Sequence, residues 1–242
     1  MAGDNYSRLS LIYNDLVRHV DYHGWAVYIL KLIEKFDVRT GRVLELASGT
    51  GKLFPKLGFV NGRGIMSDLS FNMLDQASSK YPKVCCDMTR IPFKTGFDLV
   101  FSCFDSVNHL SDTDQLAVHF QEVTRVLTPG GWFFFDMVTE RNSRAYLSTY
   151  SKKRKAGTFS YSQASQYDEN LKIHHNKFMI TESGKEPVVE ENREYIYNDE
   201  EMDHILRNSG LEIVAKFDSF TFDPVEDDSY RIQYITRKRN DP

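Results

Sequence analysis

Two acids in this chain stand where an apolar run gives way to a loop. Glu45 follows Val43-Leu44, and Asp68 follows Ile65-Met66-Ser67. After Glu45 the chain reads Leu46-Ala47-Ser48-Gly49-Thr50-Gly51, with glycine at alternate positions. Glycines there admit positive φ and remove Cβ atoms that would block a ligand lying against the main chain. An acid at a strand end accepts hydrogen bonds from a cationic or hydroxylated ligand in the crevice beyond the strands, and one about twenty residues further on can take both hydroxyls of a ribose. Asp68 also reads as a carboxylate placed before a helix start at Ser70, where the helix dipole favours it. The chemistry indicated is the capture of a nucleoside-bearing ligand with a cationic or hydroxylated group.

Two other Gly-rich motifs fail on their own terms. A dinucleotide fingerprint needs a third glycine at position 54, where Phe54 stands. A P-loop fits Gly51-Lys52, but Leu46 and Leu53 occupy its remaining fixed places.

The elements needed to hold these acids are legible as hydrophobic periodicity. Leu9, Ile12, Tyr13, Leu16, Val17 and Val20 share one helix face, and Trp25, Ile29, Leu30 and Ile33 share another. From residue 42 to about 138 short strands alternate with helices. The strands are Arg42–Ala47, Arg63–Asp68, Val84–Cys86, Phe97–Ser102 and Trp132–Val138. Ser70 is placed to cap the helix carrying Met73, Leu74 and Ala77, and Ser111 with Asp114 to open the one carrying Leu116, Phe120, Val123 and Leu127. This order predicts an α/β fold, a doubly wound, mostly parallel seven-stranded sheet with helices on both faces. The rhythm breaks after Thr139. Residues 141–157 are polar and basic, then Thr158–Tyr167, Leu171–Ile180 and Pro187–Tyr197 read as a small antiparallel β insertion after the fifth strand. A capping box at Asn198 and Glu201, a helix face of Met202, Ile205 and Leu206, and closing strands Leu211–Phe220 and Tyr230–Lys238 return to the core. The expected organisation is a core of 1–140 and 198–242, including an N-terminal helical cover, around an inserted subdomain of 141–197.

Composition is that of a soluble globular chain: 242 residues, 41% hydrophobic and 26% charged. A net charge of -4 gives no general attraction to nucleic acid or an anionic membrane. No apolar run reaches the ~18 residues of a membrane span. The start, Met1-Ala2-Gly3-Asp4-Asn5, lacks a signal-peptide pattern, and Cys85, Cys86 and Cys103 read as reduced thiols of a cytoplasmic protein. His174 and His175 point to opposite faces of their strand and do not share a metal; no metal site is expected. The run Lys152 to Lys155 reads as a solvated loop.

The loop after Glu45 resembles the first motif of the S-adenosylmethionine-dependent methyltransferases of Rossmann-like fold. That family reads acid-x-Gly-x-Gly-x-Gly, and Ala47 stands where its first glycine falls. Asp68-Leu69-Ser70-x-x-Met73-Leu74 resembles the second motif, Cys86-Asp87-Met88 the third, Phe97-Asp98-Leu99-Val100 the opening of the fourth strand, and Val126 to Gly131 the turn into the fifth. The resemblance implies S-adenosylmethionine as cofactor. It places Asp68 on the ribose, Asp87 on the adenine amino group, and the Met88 N–H on a ring nitrogen. Glu45, Ala47, Gly49, Gly51, Leu69 and Met73 would surround the ligand, with Ser102 and Phe104 beside its methionine portion and sulfonium; an aromatic face near a sulfonium is favourable. Tyr13-Asn14-Asp15 and Tyr22-x-x-Trp25 resemble the cover of a small-molecule subgroup that carries an inserted sheet, which puts Tyr13, Tyr22 and Trp25 over the cofactor. Methyl transfer to a nitrogen or oxygen of a small-molecule acceptor is the expected activity. The alternatives are a non-catalytic cofactor-binding protein and an NAD-dependent oxidoreductase.

No catalytic residue is singled out: His109, Asp105 and tyrosines of the insertion are candidate bases. Cys103 lacks the preceding proline of RNA cytosine methyltransferases, and 102–105 lacks the Asn-Pro-Pro-aromatic motif of DNA and protein amide methyltransferases. Neither nucleic acid nor membrane is therefore an expected partner, and the chain is a monomer or homodimer, with the inserted sheet serving as substrate lid or dimer surface.

Overall fold

The computed structural model describes residues 6–59, 64–78, 80–151 and 153–239, so Met1 to Asn5, Arg63 and Lys152 lie outside the described residues. In chain order the elements are α1 (Leu9–Leu16), α2 (Tyr22–Lys35), β1 (Val43–Glu45), α3 (Phe54–Leu57), β2 (Gly64–Asp68), α4 (Phe71–Asp75), β3 (Lys83–Cys85) and β4 (Phe97–Ser102). A 3-10 turn (Ser106–His109) leads to α5 (Thr113–Val126), β5 (Leu127–Val138) and α6 (Glu140–Ala145). The insertion holds β6 (Ser148–Tyr150), β7 (Arg154–Ala156), β8 (Phe159–Asp168), β9 (Ile173–Glu182) and β10 (Val188–Tyr195). The chain closes with α7 (Asp199–Asn208), β11 (Leu211–Asp218) and β12 (Arg231–Lys238).

The larger sheet has seven strands in the order β11-β12-β5-β4-β1-β2-β3, with β12 antiparallel to both its neighbours and the other pairings parallel. Strand order reverses between β1 and β4, and such a reversal opens a crevice at the carboxyl ends of the strands. Alternation along the strands divides the core in two. Leu44, Val100, Phe133, Phe135 and Met137 pack under α5 and α7, while Val43, Leu99, Phe101 and Phe134 pack under α2 and α3. Every one of these side chains is at most 1% exposed. The fifth strand starts earlier than expected: Leu127 already pairs with Phe97, and Thr128 to Gly131 form an irregularity before Trp132 pairs with Leu99.

Local capping follows sequence with one correction. Ser70 accepts from the Met73 N–H and Asn198 from the Glu201 N–H. The N-cap of α5 is Asp112, which accepts from the Gln115 N–H, whereas the Ser111 hydroxyl donates to Asp112. A carboxylate one residue nearer the helix is the better acceptor at that dipole end.

The inserted sheet has five strands: β10-β9-β8-β6 in order, with β7 also on β8. The three long strands lie where expected; the two short ones fall inside the polar 141–157 stretch, whose composition hides them. This sheet receives α1. Leu9 and Ile12 pack on Tyr161, Phe178 and Ile180. Glu190 of β10 supplies the cap that α1 lacks from its own sequence, taking the Arg8 N–H at 2.7 Å and the Leu9 N–H at 2.9 Å. Glu190→Ala should therefore cost about 1 kcal/mol of stability, the usual loss on removing a cap. It should also speed amide exchange in α1. Urea unfolding and hydrogen exchange measure the two effects, and unchanged exchange in α1 would show that the apolar contacts alone hold the helix.

Candidate active site

The carboxyl ends of β1, β2, β3 and β4 border a cavity of ≈ 250 Å³. Tyr13, Tyr22, Glu45, Ala47, Gly49, Asp68, Leu69, Met73, Asp87, Met88 and Phe104 line it, as the motifs require. Trp25, Gly51 and Ser102 do not. Trp25 is 5% exposed and packs, tilted, against Phe104, with ring centroids 4.6 Å apart. A Cβ on Gly51 would lie 2.7 Å from Ala77 Cβ and 3.0 Å from Met66 Sδ, so this glycine serves packing between the loop and α4's end. Ser102 is buried and its hydroxyl has no partner in the described structure. Each of the three stands one layer behind the wall, where motif matching alone cannot separate support from contact.

The loop geometry explains the glycine pattern. Gly49 has φ +55° and its missing Cβ would meet only the Tyr13 ring at 3.8 Å, so the ligand side is open. Ala47 also sits in the left-handed region, at φ 51°. That is the place where the family has glycine, and an alanine there bears a cost of about 1–2 kcal/mol. Phe104 and Asp105 are a second left-handed pair, at φ 62° and 52°. Strain of this kind persists only when surrounding contacts impose it. Here the Asp105 N–H donates to Asp136 at 2.9 Å, and Arg231 pairs with Asp105 at 2.7 Å.

Glu45 is 3% exposed, and its Oε2 is buried with no hydrogen-bond partner among the described residues. Burial, then the nearby Asp68 carboxylate, raises its pKa well above the ordinary glutamate range. A buried carboxyl in want of a donor, facing a cavity, fits a ligand ammonium. Asp68 is more committed than its sequence position suggests. One oxygen accepts the Gly49 N–H at 2.7 Å and the other the Ser70 N–H at 2.8 Å. Burial raises its pKa, with those backbone bonds opposing. Each oxygen keeps a second lone pair for a ligand hydroxyl. Asp68→Ala should therefore weaken cofactor binding by about 1.5–3 kcal/mol and also lower stability by about 1–2 kcal/mol, because two backbone donors lose their acceptor. Calorimetry and urea unfolding separate the two losses; a stability loss with unaltered affinity would leave Asp68 a purely structural clamp. Asp87 accepts from the Thr89 N–H and hydroxyl through Oδ1.

Several lining residues escaped sequence reasoning. Tyr6 precedes α1, and Asn192 lies on β10, so both reach the cavity only through the docking of α1 and the insertion. Ser106, Leu110 and Gln115 line it from the turn after β4 and the start of α5. That turn is tied to the insertion: Asn108 Nδ2 donates to the Tyr195 carbonyl at 2.9 Å and His109 Nδ1 contacts the Arg193 carbonyl at 2.9 Å. Of the candidate bases, His109 lines the cavity, Asp105 is paired with Arg231, and Tyr161 and Tyr167 donate to Asp15 and Glu140. The Cys103 thiol is buried, and burial pushes its pKa well up, so it is held protonated and unreactive. His174 is buried while His175 pairs with Glu191 at 2.8 Å, on opposite faces as the alternation requires.

A seven-stranded, mostly parallel sheet with acids at the ends of adjacent strands and a glycine loop beside them defines a nucleoside-cofactor enzyme of Rossmann-like build. Residues 44–135 match the family model described as "Methyltransferase domain". The chain is 28% identical to YqeM, a Bacillus subtilis protein named as a methyltransferase, over 96% of this chain and 97% of the relative. It is also similar to an S-adenosylmethionine-dependent methyltransferase from Clostridium acetobutylicum, with TM-score 0.81 and 26% identity, covering 97% of this chain and 99% of the other. A sugar N-methyltransferase from a Streptoalloteichus species shares the fold at TM-score 0.75 and 19% identity, covering 96% and 92%. This chain is an S-adenosylmethionine-dependent methyltransferase of class I, Rossmann-like fold. No described helix is long and apolar enough to cross a membrane.

Proposed function

We propose that the chain methylates a nitrogen or oxygen of a small-molecule acceptor. The observation that carries this reading is the buried Glu45 Oε2, without a partner among the described residues, inside a crevice that Tyr6, Tyr13 and Asn192 help to enclose. In this reading Glu45 holds the cofactor's ammonium, Asp68 the ribose hydroxyls and Asp87 the adenine amino group. Phe104, backed by Trp25 and Tyr22, offers an aromatic face to the sulfonium. When bound, the cofactor supplies a methyl group on a sulfonium that needs no further activation. The protein's own task is to align the nucleophile and keep water out. Residues 1–140 and 198–242 act as the cofactor core and 141–197 as the acceptor side. A cover of this kind leaves room for a small ligand rather than a nucleic acid duplex, and the net charge of -4 agrees. Thiols at Cys85, Cys86 and Cys103, with no disulfide joining them, suit the cytoplasm. The working unit is a monomer or a homodimer.

The test is transfer of labelled methyl from S-adenosylmethionine to low-mass amines and alcohols, beside DNA, RNA and protein substrates. Label in small molecules supports the reading. Label recovered only in macromolecules would overturn it.

A further inference from the structure

The inserted sheet turns toward the core a face that is apolar at its ends and polar in its middle. Tyr161, Phe178 and Ile180 hold one end under α1, and Tyr167 with Ile196 packs on Val138 at the other. Between them the registers align Ser165, Asn176 and Asn192 in one row and Tyr167, His174 and Glu194 in the next. Ser165, His174, Asn176 and Glu194 of this stretch border a second cavity of ≈ 500 Å³, walled on the core side by Asp105, Val138 and Arg231. One turn separates the two cavities: Phe104 and Ser106 line the cofactor crevice, and Asp105, between them, lines the second.

We propose that this second cavity is the acceptor site, that its ligand is a hydroxylated small molecule bearing a protonated amine, and that Glu194 holds the ammonium and takes its proton. The inference rests on the methyltransferase reading of the adjoining crevice. Burying polar side chains in the middle of a packed face costs stability unless they are satisfied. His174 is 4% exposed, lines this cavity, and its Nδ1 has no partner among the described residues. Burial lowers its pKa, so the ring is neutral and suited to a ligand hydroxyl.

The charge balance selects a cation. Arg231 is committed to Asp105 and to Asp136, and among the described residues that line the cavity there is no other lysine or arginine to hold an anionic ligand. Glu194 accepts from Asn176 Nδ2 at 3.0 Å. The titratable and charged described groups that line the cavity with it are Asp105 and Arg231 from the core, His174 from β9, His19 from the link between α1 and α2, and Tyr146 and Tyr150. Burial and then Asp105 push the Glu194 pKa up to about 8, with Arg231 opposing. A base poised near the working pH is the most effective. The Glu194 carboxylate takes one proton from the acceptor's ammonium. The freed lone pair then forms the N–C bond as the C–S pair leaves with the thioether sulfur. The product amine keeps its remaining protons and one positive charge, and Glu194 passes its proton to solvent.

The experiment is calorimetric binding of glucamine, sorbitol and gluconate to the protein saturated with S-adenosylhomocysteine. These probes share a polyol chain and differ in an amine, hydroxyl or carboxylate end. Glucamine should bind at least about tenfold more tightly than the other two, the lower range for a charged hydrogen bond. Its affinity should rise about tenfold from about pH 6.5 to about pH 8.5, because Glu194 ionises there while the amine stays protonated. Glu194→Gln, shown folded by its hold on S-adenosylhomocysteine, should lose both the preference and the rise; should it not fold, the wild-type pH profile still decides. Absent glucamine binding, equal binding of sorbitol or gluconate, a flat pH profile, or an unchanged Glu194→Gln would each overturn the inference. Failure of S-adenosylhomocysteine to bind would instead overturn the reading of the cofactor crevice.

Discussion

Replacing Glu45 by Gln should weaken binding of S-adenosylmethionine and S-adenosylhomocysteine by about 3 kcal/mol, more than a hundredfold, while leaving the ligand-free protein more stable above neutral pH. The loss follows from burial: the cofactor's ammonium would enter a water-poor pocket and find no opposite charge. The gain follows from linkage. Burial and Asp68 raise the Glu45 pKa, so the native state keeps a proton that the unfolded chain has released. Stability then falls as pH rises from about 4.3, the ordinary glutamate value, through the raised native value. Glutamine has no proton to lose and escapes that decline. Calorimetry with each ligand, and thermal unfolding of the ligand-free pair at pH 6 and pH 8, read the two effects. A variant that binds normally, or one that is less stable at pH 8, would show that Glu45 is a structural acid and not the ammonium's partner.

The second large effect concerns the insertion. Replacing 145–195 by a short flexible linker should abolish methyl transfer. It should also weaken cofactor binding by about tenfold or more, the loss of one to two kcal/mol. A clean division, with every cofactor contact between 13 and 110, would leave cofactor affinity intact, but the structure ties the two parts together. Leu9 and Ile12 lose their apolar partners Tyr161, Phe178 and Ile180. The cap from Glu190 goes, and Asn192 no longer lines the crevice. Exposing side chains of that size costs about 1.5–3 kcal/mol each. Turnover and binding in a folded deletion variant decide the matter. An intact rate would assign the inserted sheet to a dimer surface.

What was legible in the sequence is what local rules control. Acids at strand ends, a glycine loop and the alternation of strand with helix are each written within a few residues. Glu45, Asp68 and Asp87 accordingly line the crevice where expected. The strand-end rule does not report depth. Trp25, Gly51 and Ser102 carry the right motif positions yet stand behind the wall, because only packing decides which face of a side chain meets the ligand. Tyr6, Asn192 and Glu194 were hidden for another reason. Their place depends on how the inserted sheet docks, through contacts such as Asn108 with Tyr195, far apart in the chain. Alternation along β9 and β10 did carry a signal, since His174, Asn176 and Glu194 are polar at inward positions, whereas Phe178 and Ile180, further along the same face of β9, are apolar. The short strands β6 and β7 had no such mark; residues 141–157 are polar throughout, and pairing with β8 alone makes them strands.

The most direct test is a calorimetric titration of the purified chain with S-adenosylhomocysteine and, separately, with NAD. The structure predicts saturable binding of S-adenosylhomocysteine, lost on Glu45→Gln, and no binding of NAD, whose fingerprint is broken at Phe54. Saturable binding of NAD, with none for S-adenosylhomocysteine, would contradict the assignment of the crevice at Glu45, Asp68 and Asp87.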